Sequence, residues 1–378
     1  MKKLLLLLLV FLFLISNIAY SFDFNCNGFC GIYAVDLGKD KELLNINAKK
    51  LFIPASVTKL YTLLGALELL GKDYVYHTEF YYFNNNLGVK TSGDPTIYPS
   101  LLRSIIKEVV RILQVKNIDW IYIDDTTFDR KEYFGKGWVW NNPNPIISAS
   151  FLKLPSSAFS KEVNQYTAPK LFYKIIEEAL KEEGISVKYG MKLRHISSKR
   201  YKPIFVHNSK SLYAILVDTI QASDNQSAEE IFRTLGYVFK GKGSTRNSTA
   251  AIIKIVKNIT GYGINDFVIT DGSGLSRYNL VSPLLTLKIL RYLYGKYGKD
   301  LLGILSYSKG KGTLSSRFPF DFWGKTGTLT GVSALSGIFK SKKGSTIIIS
   351  MFENNFLEAK FDPKEFENEV VTYIYKNY

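Results

Sequence analysis

The sequence predicts an α/β domain whose sheet is assembled from both ends of the chain, with a second, α+β domain inserted between its halves. Three observations carry this expectation. Strand-like runs cluster early, at 31–37 and 42–47, and late, at 322–328, 332–339 and 346–352. Helical spacing dominates 211–294 and returns at 363–375. Between them, about 85–205 carries its own mixture of helical and strand patterns, and 378 residues are enough for two such units.

Taken in order, residues 1–21 have a basic start (Lys2, Lys3), an apolar run from Leu4 to Ile15 and small residues at Ala19 and Ser21. This is the anatomy of a secretory signal peptide cut after Ser21; the apolar run is short for a bilayer span, and an uncleaved anchor is the alternative. The mature chain then divides into 22–84 and 206–378, forming the main domain, and 85–205, the insertion. Strands 31–37 and 42–47 pair as a hairpin across Lys39-Asp40-Lys41 and lead to an apolar helix beginning near Ser56. A β-rich stretch covers 74–83, with turns at 84–88 and 93–95. In the insertion, 100–115 and 167–184 read as helices and 118–123 as a strand, and Trp138 to Pro145 is a loop of aromatics and turn formers. Helices follow at 211–219, 227–235, 250–259 and 283–294, with a polar turn cluster at 271–276. Ser341-Lys342-Lys343-Gly344 turns one late strand into the next, and an amphipathic helix at 363–375 closes the chain.

The formal net charge is +16, and losing Lys2 and Lys3 with the leader leaves +14. Such a charge favours anionic partners, here peripheral contact with an anionic membrane or a cell-wall polymer. The basic residues are scattered, as on a solvated basic surface. No helix-turn-helix, zinc-finger or RNA-recognition pattern appears, so nucleic acid is not expected. Cys26 and Cys30 are the only cysteines. Their spacing can close as a local disulfide once Asn27-Gly28 turns the chain, with two free thiols as the alternative. His77, His195 and His207 have no zinc-ligand spacing with them, so neither metal nor cofactor is expected.

The candidate chemistry begins at Pro54-Ala55-Ser56-Val57-Thr58-Lys59. Pro54 suits the entry to a helix, which places Ser56 at its N-terminus and Lys59 one turn later on the same face. A serine hydroxyl needs a nearby base, and a desolvated lysine can become one. The free N–H groups of a helix start also stabilise developing negative charge. Alone, S-x-x-K equally describes a helix-capping serine and an exposed lysine. Ser223-Asp224-Asn225 alone is a polar turn, and Lys325-Thr326-Gly327 alone a strand end. Together and in this order they form the motif set of penicillin-binding proteins and class A β-lactamases.

More specifically, the chain resembles the D-alanyl-D-alanine carboxypeptidase/endopeptidase family, the low-molecular-mass class C penicillin-binding proteins. The segments that carry the likeness are Phe52 to Leu60, Asp271 to Arg277 with Val281-Ser282-Pro283, and Gly324 to Gly337. The resemblance implies a penicillin-binding-protein/β-lactamase-like transpeptidase domain: an antiparallel sheet with helices on both faces, interrupted by the insertion. It implies peptidoglycan stem peptides as substrates and β-lactams as covalent inhibitors. It further implies that Ser56 attacks the carbonyl between two D-alanines, with Lys59 as base. Ser223 would pass a proton to the leaving amine, and Asn225 would hold Lys59 and the substrate amide. Lys325 and Thr326 would take the terminal carboxylate, and Gly327 would let substrate lie close to the strand. The N–H groups of Ser56 and Thr328 would form the oxyanion hole. Asp224 is expected to be structural, Asp271 to Ser276 to be a loop beside the site, and His207 to serve packing or surface.

Two departures matter. The insertion is shorter than in the best-known members. Where many carry an aspartate after a Trp-x-Trp pair, Trp138-Val139-Trp140 is followed by Asn141-Asn142, and an amide cannot neutralise a substrate ammonium. The alternatives to a peptidase are a β-lactamase and a catalytically silent cell-wall binding protein. Class A β-lactamases deacylate with a glutamate after the second motif. Between Asn225 and Lys325 the only glutamates are Glu229 and Glu230, too early for that role.

Overall fold

The computed structural model describes residues 26–132, 135–138, 147–153 and 168–378. The signal peptide expected at 1–21 and the Asn141-Asn142 pair lie outside these residues. Among the described residues no helix is long and apolar enough to cross a membrane.

Cys26 and Cys30 are joined as a disulfide, with their Cα atoms 6.4 Å apart. Strand β1 (Phe29–Asp36) turns into β2 (Lys41–Ile46). Asp36 accepts the N–H groups of Gly38 and Lys39 in the turn. A long helical segment, α1, then starts as a 3-10 turn over Ala55–Thr58, runs α-helical over Lys59–Gly65 and ends as a π turn at Ala66–Leu70. Every residue of Lys59–Gly65 is buried, as its all-round apolar sequence requires.

The chain next builds a second sheet. Its elements are β3 (His77–Phe83), β4 (Asn86–Lys90), α2 (Pro99–Leu113), β5 (Asn117–Ile118), β6 (Ile121–Asp124), α3 (Ala168–Glu182), β7 (Ser186–Val187), β8 (Met191–Leu193) and β9 (Phe205–Asn208). Five of these strands form one sheet in the order β8-β6-β4-β3-β9. The β4–β6 and β6–β8 pairs are parallel, which the crossovers through α2 and α3 allow. This sheet therefore starts at His77, within the β-rich stretch read at 74–83, and ends at Asn208. Ile105, Ile106 and Val109 of α2 and Phe172 and Ile176 of α3 seal it with Phe80, Val89 and Ile121 in a core of its own.

Four helices follow: α4 (Leu212–Gln221), α5 (Asn225–Lys240), α6 (Thr245–Thr260) and α7 (Pro283–Ile304). Ser211, Asp224, Ser244 and Ser282 cap their N-termini with side-chain acceptors. Helix α7 passes the expected end at 294 and continues across a break at Gly298 (φ 49°). Buried Leu301 and Ile304 hold its last turns in the core, which offsets the cost of the glycines. The chain ends with β10 (Ser306–Tyr307), β11 (Phe322–Leu329), β12 (Val332–Lys340), β13 (Thr346–Asn354) and α8 (Pro363–Asn377).

The main sheet has the order β10-β11-β12-β13-β1-β2, antiparallel throughout. Both ends of the chain therefore meet at the β1–β13 pair. Ala334, Ile338, Ile348 and Phe352 face α1 and the α4–α7 helices. Leu335, Phe339, Ile347 and Ile349 face the opposite way, onto Phe366, Val370 and Ile374 of α8. The alternation along each strand thus packs helices on both faces of the sheet.

Candidate active site

Ser56 sits in the opening turn of α1, where backbone N–H groups have no intrahelical acceptor. Ala55 before it has a left-handed backbone (φ 45°), which sets the sharp entry. This turn is pinned from two directions. Phe52 exchanges backbone hydrogen bonds with Val281 (2.8 and 3.0 Å). The Asn354 side chain accepts from the Ile53 N–H (2.7 Å) and donates to the Ile53 carbonyl (3.1 Å). Strand β11 lies directly against it: a β-carbon on Gly327 would come within 2.7 Å of the Pro54 carbonyl oxygen and 2.9 Å of the Ser56 nitrogen. Gly327 therefore faces the Ser56 turn, and its lack of a side chain lets β11 lie against that turn.

Lys59 is fully buried one turn along α1. Its Nζ contacts Ser56 Oγ (3.0 Å), Asn225 Oδ1 (2.7 Å) and the Ser273 carbonyl (2.8 Å). Burial lowers its pKa to about 8, against the raising influence of Asp271, Glu229 and Asp224. An amine so placed is neutral often enough near physiological pH to accept a hydroxyl proton.

Asn225 reaches Lys59 because Asp224 fixes the start of α5. The Asp224 carboxylate accepts from Gln226 N–H (2.9 Å), Ser227 N–H (3.3 Å) and Ser227 Oγ (2.8 Å). It also pairs with Lys153 Nζ at 3.0 Å, which ties the insertion to the site. Ser223 precedes it in a left-handed conformation (φ 55°), partly exposed at the edge of the site. Among the described residues it makes no hydrogen bond to Lys59 or Ser56.

Lys325 on β11 is buried and donates to the Thr326 carbonyl (2.7 Å). Burial, with the nearby positive charge of Lys59, pulls its pKa well below the usual lysine range. An incoming carboxylate would favour the protonated amine and offset part of the cost of burying its charge, so this site favours an anionic ligand. Thr326 Oγ1 donates to Thr313 Oγ1 (2.8 Å), and Thr328 is exposed. Ser56, Lys59, Asn225 and Lys325 therefore converge between the heads of α1 and α5 and strand β11.

Three features of this site were not legible in the motifs. The Ser273 carbonyl is a direct partner of Lys59. Glu229, one turn into α5, accepts the Gly272 and Ser273 N–H groups (2.9 and 2.8 Å) and so aims that carbonyl. Its own pKa is pushed up to about 7 by burial and by the Asp271 charge. Asp271 in turn accepts from Gly274 N–H, Ser276 N–H, Asn279 Nδ2 and Trp138 Nε1 at 2.7–2.9 Å. The sequence shows Glu229 as a glutamate after the second motif; its burial and its hydrogen bonds to two amides are not legible there. His207 takes no part in the cluster and is half-buried on β9. Among the described residues no group of three His, Cys, Asp or Glu side chains could hold a metal ion.

A family model described as the D-Ala-D-Ala carboxypeptidase 3 (S13) family matches residues 26–151 and 152–376. The chain is 22% identical to a D-alanyl-D-alanine carboxypeptidase of Haemophilus influenzae, over 92% of this chain and 91% of that protein. It is 23% identical to a D-alanyl-D-alanine carboxypeptidase of an Actinomadura species, over 83% of this chain and 76% of that protein. Among solved structures, penicillin binding protein 4 of H. influenzae superposes with a TM-score of 0.80 at 22% identity, covering 93% and 97% of the two chains. A predatory peptidoglycan endopeptidase from Bdellovibrio bacteriovorus superposes with a TM-score of 0.61 at 18% identity, covering 93% and 92%.

Proposed function

This chain belongs to the D-Ala-D-Ala carboxypeptidase 3 (S13) family and is a peptide hydrolase of that type, and from that premise we propose how its residues divide the reaction. Neutral Lys59 takes the hydroxyl proton of Ser56 as its oxygen attacks the carbonyl between two D-alanines of a peptidoglycan stem peptide. The Ser56 and Thr328 N–H groups hold the oxyanion, each worth roughly 3–4 kcal/mol in such sites. Ser223 relays a proton to the leaving amine, which departs as D-alanine or as the D-amino acid of a cross-link. Lys325 and Thr326 hold the terminal carboxylate, and Asn225 holds Lys59 and the substrate amide. Water then attacks the Ser56 ester, returns a proton through Lys59 and frees the shortened peptide. The observation that carries this reading is the single lysine amine shared by Ser56 Oγ, Asn225 Oδ1 and the Ser273 carbonyl.

Glu229 Oε1 is taken by two backbone amides and Glu230 Oε1 by the Gln226 side chain, and among the described residues neither carboxylate accepts a hydrogen bond from Ser56 or Lys59, which favours a peptidase over a β-lactamase. D-alanine diffuses away and admits water, whereas the nitrogen of an opened β-lactam stays attached. Residues 22–84 and 206–378 are read as the catalytic domain and 85–205 as an insertion; the second sheet and core support an inserted unit but reach past those bounds, from His77 to Asn208. The signal-peptide anatomy of residues 1–21 supports export, with the mature chain starting near Phe22 in the periplasm or its equivalent.

The test pairs two assays. D-alanine release from a D-Ala-D-Ala peptide is expected with many turnovers, while a penicillin adduct lasts minutes or longer, a barrier of roughly 20 kcal/mol or more. The Ser56→Ala variant is expected to lose both. Rapid multiple-turnover penicillin hydrolysis without D-alanine release would refute the assignment.

A further inference from the structure

Helices α5, α6 and α7 present an outer flank rich in cations and poor in carboxylates. Residues 231–265 contain Arg233, Lys240, Lys242, Arg246, Lys254 and Lys257 and not one Asp or Glu. Arg233 is buried and paired with Glu132, and Lys242 donates to the Thr126 carbonyl. The others point outward. Arg246, Lys254 and Lys257 are all exposed on α6, and their spacing places them within one arc of the helix. Among the described residues, none of Lys240, Arg246, Lys254, Lys257 and the neighbouring Lys288 has an acidic partner within ion-pair distance.

These cations lie among aromatic and aliphatic groups that are themselves near the surface. Lys240 and Lys254 both sit over the Phe239 ring (5.6 and 5.5 Å), joining the end of α5 to α6. Lys288 of α7 sits over Tyr262 (4.9 Å), joining α7 to the end of α6. Ile259 and Thr260 face Lys288 and Tyr292 across a shallow groove of about 630 Å³. Tyr237 is 38% exposed, Val238 44% and Ile264 72%. The carboxylates that approach are few: Asp40 pairs with Arg291, Glu68 with Lys296, and Asp266 accepts the Gly263 N–H.

A polar solvated face would account for the lysines but not for exposed Ile264, Val238 and Tyr237 beside them. Aliphatic tips for the acyl boundary, aromatic rings for the headgroup level and unpaired lysines for anionic headgroups are the three contributions to interfacial binding. We propose that this α5–α6–α7 flank docks the protein onto an anionic phospholipid membrane. The surface is separate from the catalytic machinery. Asn225 and Lys240 stand at opposite ends of α5, whose 16 residues span about 24 Å. The proposal therefore stands independently of the roles given to Ser56 and Lys59.

The experiment is co-sedimentation of the purified protein with vesicles of phosphatidylcholine alone or mixed equally with phosphatidylglycerol, every sample sharing one N-terminus. Binding to the mixed vesicles is expected, with little to phosphatidylcholine alone and a decline as salt rises. The triple variant Lys240→Glu, Lys254→Glu, Lys257→Glu is expected to weaken partitioning at least about a hundredfold, given the attraction each lysine contributes near an anionic leaflet. Ile264→Ser is expected to lower the binding that survives high salt. Both variants keep wild-type D-alanine release from a soluble peptide, which shows that the fold is intact. Equal binding to both vesicle types, or mixed-vesicle binding unchanged by the charge reversals, would overturn the proposal. So would binding to a soluble polyphosphate with none to vesicles, which would make the partner a wall polymer.

Discussion

Gly274 approaches Ala55 so closely that a β-carbon on it would fall 1.8 Å from the Ala55 carbonyl oxygen. Its backbone is also left-handed (φ 88°), so a side chain there is strained in two ways. The contact seats the 271–276 loop on the Ser56 turn and thereby sets the height of the Ser273 carbonyl over Lys59. Gly274→Ala is expected to cost roughly 3 kcal/mol of stability and to slow acylation of Ser56. Thermal unfolding and stopped-flow penicillin acylation, run on the same samples, check both.

Burial of Lys59 sets a pH dependence. With its pKa lowered to about 8, the acylation rate is expected to climb with pH and level off above that value. Stability follows the same sign. The unfolded lysine holds its proton to near 10.5, so the cost of burying the charge is full below about 8 and disappears towards 10.5, about 3 kcal/mol in all. Relative to a Lys59→Met variant, the wild type is expected to gain stability across that window. Denaturant titrations of the two proteins at several pH values measure this difference.

Glu229 supplies part of the charge that keeps Lys59 from falling further. Glu229→Gln can keep an oxygen facing the Gly272 and Ser273 amides while removing that charge. The midpoint of the acylation pH profile is therefore expected to move below the wild-type value. An unmoved midpoint with a lower plateau would show that Glu229 acts through geometry alone.

A second buried acid pair lies under the C-terminal helix. Glu353 on β13 and Glu367 on α8 are fully buried, and only Glu367 meets Arg317 and Ser333. Burial, then the Glu367 charge, raises Glu353 well above the carboxylate range, so the folded protein keeps its proton. That contribution is intact below about pH 4.5 and is lost as pH rises through the folded value. Glu353→Gln is expected to be more stable than wild type by a margin that widens as pH rises above about 4.5. Melting temperatures across that range decide it.

Much of the arrangement could be read from local pattern. The closeness of Lys59 to Ser56 follows from helical spacing, and the two-ended sheet follows from where alternating strands fall. Asp224 was legible as a structural carboxylate because residues of its type cap helices. What could not be read depends on pieces remote in sequence. The Ser273 carbonyl is a backbone group that any residue type would carry, and only tertiary packing aims it. Gly327 reads from sequence as room for substrate, yet its nearest neighbours are Pro54 and Ser56. Helix α7 runs on beyond 294 because burial of Leu301 and Ile304 outweighs a local glycine signal.

The most direct measurement is peptide mapping after exposure to a labelled penicillin. One adduct per chain is expected, on the peptide that contains Ser56, and none on a folded Ser56→Ala variant. Label on a peptide containing any other serine, or an adduct that persists in Ser56→Ala, would contradict the assignment of Ser56 as the nucleophile.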